Sequence, residues 1–315
     1  MLVLGCAGLG NLYATVDDCE AQATFDAAWR AEFRMLDTAP LYGHGLSERR
    51  VGRHRHDRPD QSFSLSTKVG RRLHPVASQP TDHGFVDPLP FEPRFDYTAD
   101  GILASFEDSL ARLGANRVDT LLLHDIDRRT HGDQQPAVLR QALNEALPAM
   151  ARLKAEGRVA RIGLGVNEWE VCREVMAYAD VDVLLIAGRY TLLEQGALDL
   201  MDEAAARGVS VMAAGLFNSG LLVGQRRYDY RAAGADVTAH RDAVARVCDE
   251  HGVPAPAAAL QLPGAHPAVD AVVVGLRSPA EVEQFAAWWH MPIPGELWPA
   301  LIAAGLLDQR VPTPC

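Results

Sequence analysis

Lysine is nearly missing from this chain. Of 30 basic residues in 315, only Lys68 and Lys154 are lysines and the other 28 are arginines. Where solvation alone is needed the sequence uses arginine, so a lysine inside an apolar strand asks for a chemical reason. No apolar run approaches the ~18 residues that a membrane-spanning helix requires. Met1-Leu2-Val3-Leu4-Gly5-Cys6 superficially resembles a lipoprotein cleavage site, but it has neither the charged start nor the apolar stretch of a signal peptide. Cys6, Cys19, Cys172, Cys248 and Cys315 are odd in number, widely spaced and without a CxxC pair, which argues against a disulfide framework or a zinc site. Positive charge is scarce too: 41 acidic residues leave a net charge of −11, and no basic cluster is longer than Arg53-His54-Arg55-His56. Binding nucleic acid by counterion release needs a basic face. Neither nucleic acid nor a membrane is expected as a partner, and the chain reads as a cytoplasmic protein.

What is present is alternation. Short β-like runs (Leu2–Gly5, Phe33–Leu36, Phe63–Lys68, Val118–His124, Arg161–Val166, Val181–Ile186, Val209–Ala213 and Ala271–Val274) take turns with amphipathic stretches. Among the latter are Asp18–Arg30, Thr98–Leu113, Ala137–Glu156, Leu198–Arg207 and Ala239–His251. Eight strands, each followed by helical sequence, is the count for an α/β fold of the (β/α)8 TIM-barrel type, with residues 1–315 as a single domain. A doubly wound sheet with an appended domain would need a mid-chain linker and a phosphate-binding glycine fingerprint. Gly5-Cys6-Ala7-Gly8-Leu9-Gly10 lacks the G-x-G-x-x-G spacing, and no Tyr-x-x-x-Lys pair exists. Two long irregular loops are expected, Gly70–Tyr97 after the third strand and Phe217–Asp236 after the seventh. In barrels such loops cover a site at the strands' C-terminal ends.

Those ends carry the chemistry. The second strand runs into Asp37-Thr38-Ala39 and then Tyr42, the third ends in Ser66-Thr67-Lys68, and the fourth ends in Leu123-His124. Asp37, Tyr42, Lys68 and His124 meeting in one pocket would form a proton-transfer unit. A phenol titrates near ~10, and a neighbouring ammonium is expected to lower that value. Asp37 would keep Lys68 charged, and His124 could hydrogen-bond a substrate oxygen. Taken singly, Asp37 also suits a strand-end cap, Tyr42 a loop aromatic and His124 a core histidine. Lys68 is harder to explain away, because an unpaired buried charge costs several kcal/mol.

The run Asp37-Thr38-Ala39-Pro40-Leu41-Tyr42-Gly43-His44-Gly45-Leu46-Ser47-Glu48, followed by Ser66-Thr67-Lys68 and Leu123-His124, resembles the aldo-keto reductase superfamily. The resemblance spans residues 2 to 308 and is strongest to the bacterial aldose 1-dehydrogenases acting on L-fucose, D-threo-aldoses and galactose. Gly10-Asn11-Leu12-Tyr13, the stretches 187–193 and 213–222, and Val274-Gly275-Leu276-Arg277-Ser278-Pro279 support it. It implies a nicotinamide dinucleotide across the barrel top, no metal, and Asp37, Tyr42, Lys68 and His124 as the catalytic tetrad with Tyr42 the general acid or base. It further implies cofactor contacts from Cys6, Asn167, Tyr190, Gly215, Phe217, Asn218, Ser219, Gly220, Leu222, Gly275, Arg277, Ser278 and Glu281. Asn167 has a lesser alternative reading as a helix cap before Glu168, and Tyr190 reads equally as wall packing. The arginine that some members place against the 2′-phosphate aligns with Glu281, which favours NAD, while Arg277 could still receive the phosphate of NADP. Members usually begin with a hairpin that plugs the barrel floor. Here Met1 lies almost at the first strand, so either the floor is closed differently or the start lies upstream.

Tyr13, His44, Phe95 and Trp169 are the candidate substrate residues. Phe85, Phe91, Phe95, Tyr97 and His83 in the loop after the third strand would suit a sugar ring, though a self-packed loop would use the same residues. The leading expectation is oxidation of the C1 hydroxyl of an aldose to a lactone by a monomer or homodimer. The alternatives are reduction of a non-sugar carbonyl, pyridoxal-like rings included, and a cofactor-sensing subunit without turnover.

Overall fold

The computed structural model describes residues 1–78, 80–81 and 83–314. Gln79 and Asp82, within the loop after the third strand, and Cys315 lie outside the described residues. The strands are β1 (Leu2–Gly5), β2 (Met35–Asp37), β3 (Ser64–Val69), β4 (Arg71–Pro75), β5 (Phe91–Phe95), β6 (Val118–His124), β7 (Val159–Val166), β8 (Val183–Ala187), β9 (Ser210–Ala214), β10 (Arg227–Tyr228), β11 (Arg231–Ala232) and β12 (Val269–Gly275). Eight of them close a parallel barrel in the order β1-β12-β9-β8-β7-β6-β3-β2. Helices cover its outside, and no helix among the described residues is long and apolar enough to cross a membrane.

Two hydrophobic clusters follow from the two-residue period of a strand. Leu4, Leu36, Leu65, Leu121, Leu123, Leu184, Ile186, Val211 and Val272 face the helix layer. Val3, Met35, Leu122, Val183, Leu185, Met212, Ala271 and Val273 fill the lumen. Each large side chain so buried contributes about 1.5–3 kcal/mol. The same alternation carries Asp37 (after Met35), Lys68 (after Ser66) and His124 (after Leu122) into the lumen at its upper end.

The helix ends are written locally. Asp17 accepts from the Glu20 amide to start Asp18–Arg30, and Thr98 accepts from the Gly101 amide to start Ala99–Leu113. Gly208, at φ 69°, closes Leu198–Arg207. The expected single helix over 137–156 is instead Gln135–Gln141 and Leu147–Ala155 joined by a π-turn at Ala142–Ala146. Pro148 cannot donate to the preceding turn, which accounts for the change of register just before it.

Neither long loop is irregular throughout. β4 and β5 pair antiparallel from Arg71–Phe95 to Pro75–Phe91, forming a hairpin above the barrel. Five prolines between 70 and 97 hide it in the sequence, because proline is tolerated in edge strands such as these two. The segment after β9 contains a helical turn, Leu221–Val223, and the small β10–β11 hairpin.

The barrel floor is polar. Arg161 points inward from β7, donating to Asp270 at 2.6 Å, Ser210 Oγ at 3.3 Å and Thr120 Oγ1 at 3.3 Å. The Met1 ammonium donates to the Asp270 carbonyl at 2.8 Å. Arg161 thereby ties four strands together below the apolar lumen.

Candidate active site

Lys68 reaches the upper lumen beside Gly165, where a Cβ would stand only 3.4 Å from Lys68 Cε. Its ammonium donates to Asp37 Oδ2 at 2.8 Å and to the Thr38 carbonyl at 2.9 Å. Ser66 donates to the other Asp37 oxygen at 2.7 Å. Tyr42 lies on the turn after β2, and the Lys68 ammonium is 4.7 Å from its ring centre. The turn can come this close to the β1 loop because Gly43 has φ +62° and a Cβ there would sit 2.4 Å from the Gly10 carbonyl oxygen. His124 meets the Tyr42 ring edge-on at 6.3 Å. The four residues separated in sequence are therefore neighbours.

Their electrostatics differ in one respect from the sequence-based expectation. Burial opposes the charge on Lys68, yet Asp37 and Tyr42 outweigh it and hold its pKa above the ordinary value. For Tyr42 the balance goes the other way. Burial is the largest influence and raises its pKa, Lys68 lowers it, and Asp37 and Asp125 raise it further. Tyr42 is therefore a protonated phenol at neutral pH rather than an acidified one. Burial, with the Arg71 and Lys68 charges, pushes the pKa of His124 well below its usual value, so it is a neutral imidazole. Its Nδ1 has no protein hydrogen-bond partner among the described residues.

A cleft of about 840 Å³ opens over Asp37 and Tyr42 and runs across the barrel top. Gly215, Phe217, Ser219, Gly220, Gly275, Arg277 and Glu281 line it, as does Tyr13, whose enclosed hydroxyl has no protein partner among the described residues. Glu281 accepts from the Arg277 amide at 2.7 Å and lies 3.5 Å from its guanidinium, at the start of the helix Pro279–Trp289. A proton-transfer end, a glycine-bearing middle and a helix start at the far end suit an extended dinucleotide.

Six expected cofactor residues are placed away from the cleft wall. Cys6 is buried, its Sγ 3.5 Å from the Leu4 carbonyl. Tyr190 is 2% exposed and packs edge-on against His266. Asn218 bonds Thr191 and the Gly188 carbonyl, Leu222 is in the core, and Ser278 caps the helix by accepting from the Glu281 amide. Asn167 neither lines the cleft nor caps a helix: its Nδ2 donates to Asp125 Oδ1 at 3.2 Å and its Oδ1 accepts from the Tyr230 hydroxyl at 3.2 Å.

Three of the four substrate candidates are likewise engaged elsewhere. His44 is fully buried with Nδ1 2.7 Å from the Phe91 carbonyl, anchoring β5. Phe95 stacks on Tyr97 beneath the Arg71 guanidinium. Trp169 packs on the core with Arg173 over its ring.

The sequence reading missed a second polar shell. Asp125 pairs with Arg71 from the β4–β5 hairpin, bonds Asn167, and lies 3.5 Å from His124 Nε2. Asp229 is held by Arg189 at 2.8 Å and Arg129 at 3.2 Å. Asp125 follows His124 directly in sequence, which was the one available signal; the arginines carry none.

The profile of the Aldo/keto reductase family matches residues 1–304. The chain is 39% identical to a pyridoxal 4-dehydrogenase of Microbacterium luteolum over 326 residues, covering 98% of this chain and 94% of that protein. It is also 39% identical to a D-threo-aldose 1-dehydrogenase of Pseudomonas sp over 321 residues, with the same coverage. Among solved structures, the holo form of an aldo-keto reductase from Bacillus halodurans superposes with a TM-score of 0.76 at 22% identity, covering 98% of this chain and 93% of that one.

Proposed function

The chain belongs to the aldo/keto reductase family and is an oxidoreductase, and on that premise we propose that it oxidises the C1 hydroxyl of a cyclic hemiacetal, an aldopyranose first, to the lactone. The observation that carries the reading is the Lys68 ammonium, held 2.8 Å from Asp37 and 4.7 Å from the Tyr42 ring at the cleft floor. An aldopyranose and the cyclised form of pyridoxal both present a ring carbinol carbon that becomes a lactone carbonyl on loss of a hydride and a proton. The relatives' two substrates thus pose one chemical problem.

A bound nicotinamide dinucleotide supplies the hydride acceptor. Tyr42, as phenolate, takes the hydroxyl proton, and Lys68 stabilises that phenolate. His124, being neutral, donates to the substrate oxygen without adding charge. Asp37 keeps Lys68 charged. In the reverse direction Tyr42 donates its proton to a carbonyl oxygen, the role its raised pKa favours at neutral pH. Glu281 occupies both the amide and the guanidinium of Arg277, so a 2′-phosphate meets a compensated cation and a carboxylate. NAD is the proposed partner.

The test is reduction of NAD and of NADP over L-fucose, D-arabinose, L-galactose, D-galactose and pyridoxal, read at the nicotinamide absorbance band. Turnover of at least one aldose with NAD is expected. Activity on acyclic carbonyls alone, or a tenfold preference for NADP, refutes the corresponding part.

The pH dependence has a definite sign. Oxidation needs the phenolate, and a pKa raised above 10 makes that form scarce. The kcat/KM for oxidation should climb across pH 7–10 by about tenfold per unit without a plateau, since one deprotonation governs it. Because the pKa of His124 is lowered, no acid limb near pH 6.5 is expected. A plateau reached by pH 8 contradicts this assignment.

A further inference from the structure

The β10–β11 hairpin turns on Asp229 and Tyr230, both with positive φ, 49° and 65°. Asn-Gly or Asp-Gly is the usual choice for a two-residue turn of that hand. A bulky aromatic with φ > 0 is strained and persists only where its surroundings fix it. Here they do. Asp229 is clamped between Arg129 and Arg189, the Tyr230 amide donates to Ser219 Oγ at 2.9 Å, and its hydroxyl donates to Asn167 Oδ1 at 3.2 Å. About half of Tyr230 is exposed, yet it lines the same cleft as Tyr42 and Tyr13. From Asn167 the polar chain continues through Asp125 to His124.

We propose that Tyr230 is a specificity-determining residue of this enzyme: a ring held in a strained turn over the reacting end of the cleft, limiting the substrate to a single ring. The inference rests on the functional reading above in assuming that the reacting group is presented to Tyr42. The β10–β11 hairpin puts the half-exposed ring at the solvent side of the cleft, where a substituent on the substrate's far side would meet it. The Asn167 bond fixes the ring's tilt. A glycine here would relieve the turn, so strain has been accepted in exchange for the ring.

Two variants separate ring from hydroxyl: Tyr230→Gly removes both and suits the turn, while Tyr230→Phe removes only the bond to Asn167. The measurement is kcat/KM for a small and a large substrate in each of two series, a free aldopentose against a reducing disaccharide with NAD, and benzaldehyde against biphenyl-4-carbaldehyde with NADH. Tyr230→Gly should raise the large-to-small ratio at least tenfold in any series the wild type turns over. Its Tm should be at or above the wild-type value, and dinucleotide quenching of tryptophan fluorescence should be unchanged. Tyr230→Phe should keep the wild-type ratio and raise KM for the small substrate severalfold with kcat retained. A ratio within twofold of wild type in Tyr230→Gly, together with a raised Tm, would show a residue of the turn only and overturn the proposal. Wild type inactive on aldoses but active on aldehydes defeats the sugar reading and leaves the aldehyde series as the test of Tyr230. Inactivity on both series defeats both.

Discussion

Replacing Tyr42 by phenylalanine should lower kcat/KM by about 10³-fold, within the range spanned by a positioned acid–base group. The variant keeps the ring against which the Lys68 ammonium rests 4.7 Å away, and Lys68 keeps Asp37 and the Thr38 carbonyl as acceptors. Tm should therefore stay within about 2 °C of wild type, because no buried charge loses its partner. Dinucleotide quenching of tryptophan fluorescence, with Trp288 in the cleft wall, should be unaltered. Activity within tenfold of wild type at every pH would remove Tyr42 from the chemistry.

Lys68→Met carries the second large effect, and it falls on two observables at once. Both members of the Lys68–Asp37 pair are at most 4% exposed at their side chains. Removing the ammonium leaves a buried carboxylate with Ser66 as its one side-chain donor among the described residues, and breaking such a pair costs about 3–5 kcal/mol. Turnover should fall at least as far as in Tyr42→Phe, since the phenolate loses the Lys68 cation beside it. The double variant Asp37→Asn/Lys68→Met should recover much of the Tm and none of the activity. Recovery of both would make the pair structural. The alkaline behaviour follows from the sign of the lysine shift: with the folded pKa above the unfolded one, the stability that Lys68 contributes is fully present as pH rises to about 10 and is lost as pH rises through the folded value.

The barrel was legible because its strands are long enough to show their period. Leu121-Leu122-Leu123-His124 alternates between the helix layer and the lumen, and β1 and β6 match the expected boundaries residue for residue. The convergence of Asp37, Lys68 and His124 could be read from sequence for the same reason, since a polar residue at a strand's last inward position has one place to go; Tyr42, on the turn after β2, was placed by the resemblance instead. The elements that were missed lack such a period. β10 and β11 are two residues each, and prolines disguise β4 and β5. The direction of the Tyr42 shift was also out of reach. Whether one ammonium outweighs burial and two carboxylates depends on distances that no spacing records. His44, Phe95 and Trp169 have the right chemistry for a sugar, and the hairpin and helix layer consume it: a histidine ring accepted by the Phe91 carbonyl has no capacity at that nitrogen for a hydroxyl.

Arg161 closes the barrel at the end away from Tyr42, through partners on three other strands. Arg161 thus adds cohesion at the floor, separated by the apolar lumen from the Lys68–Asp37 pair that adds its own at the upper end. The β4–β5 and β10–β11 hairpins above the cleft can vary while the network around Arg161 keeps the cylinder shut. Substitutions that reinforce the network around Arg161 should raise heat tolerance while leaving every residue of the upper rim as it is.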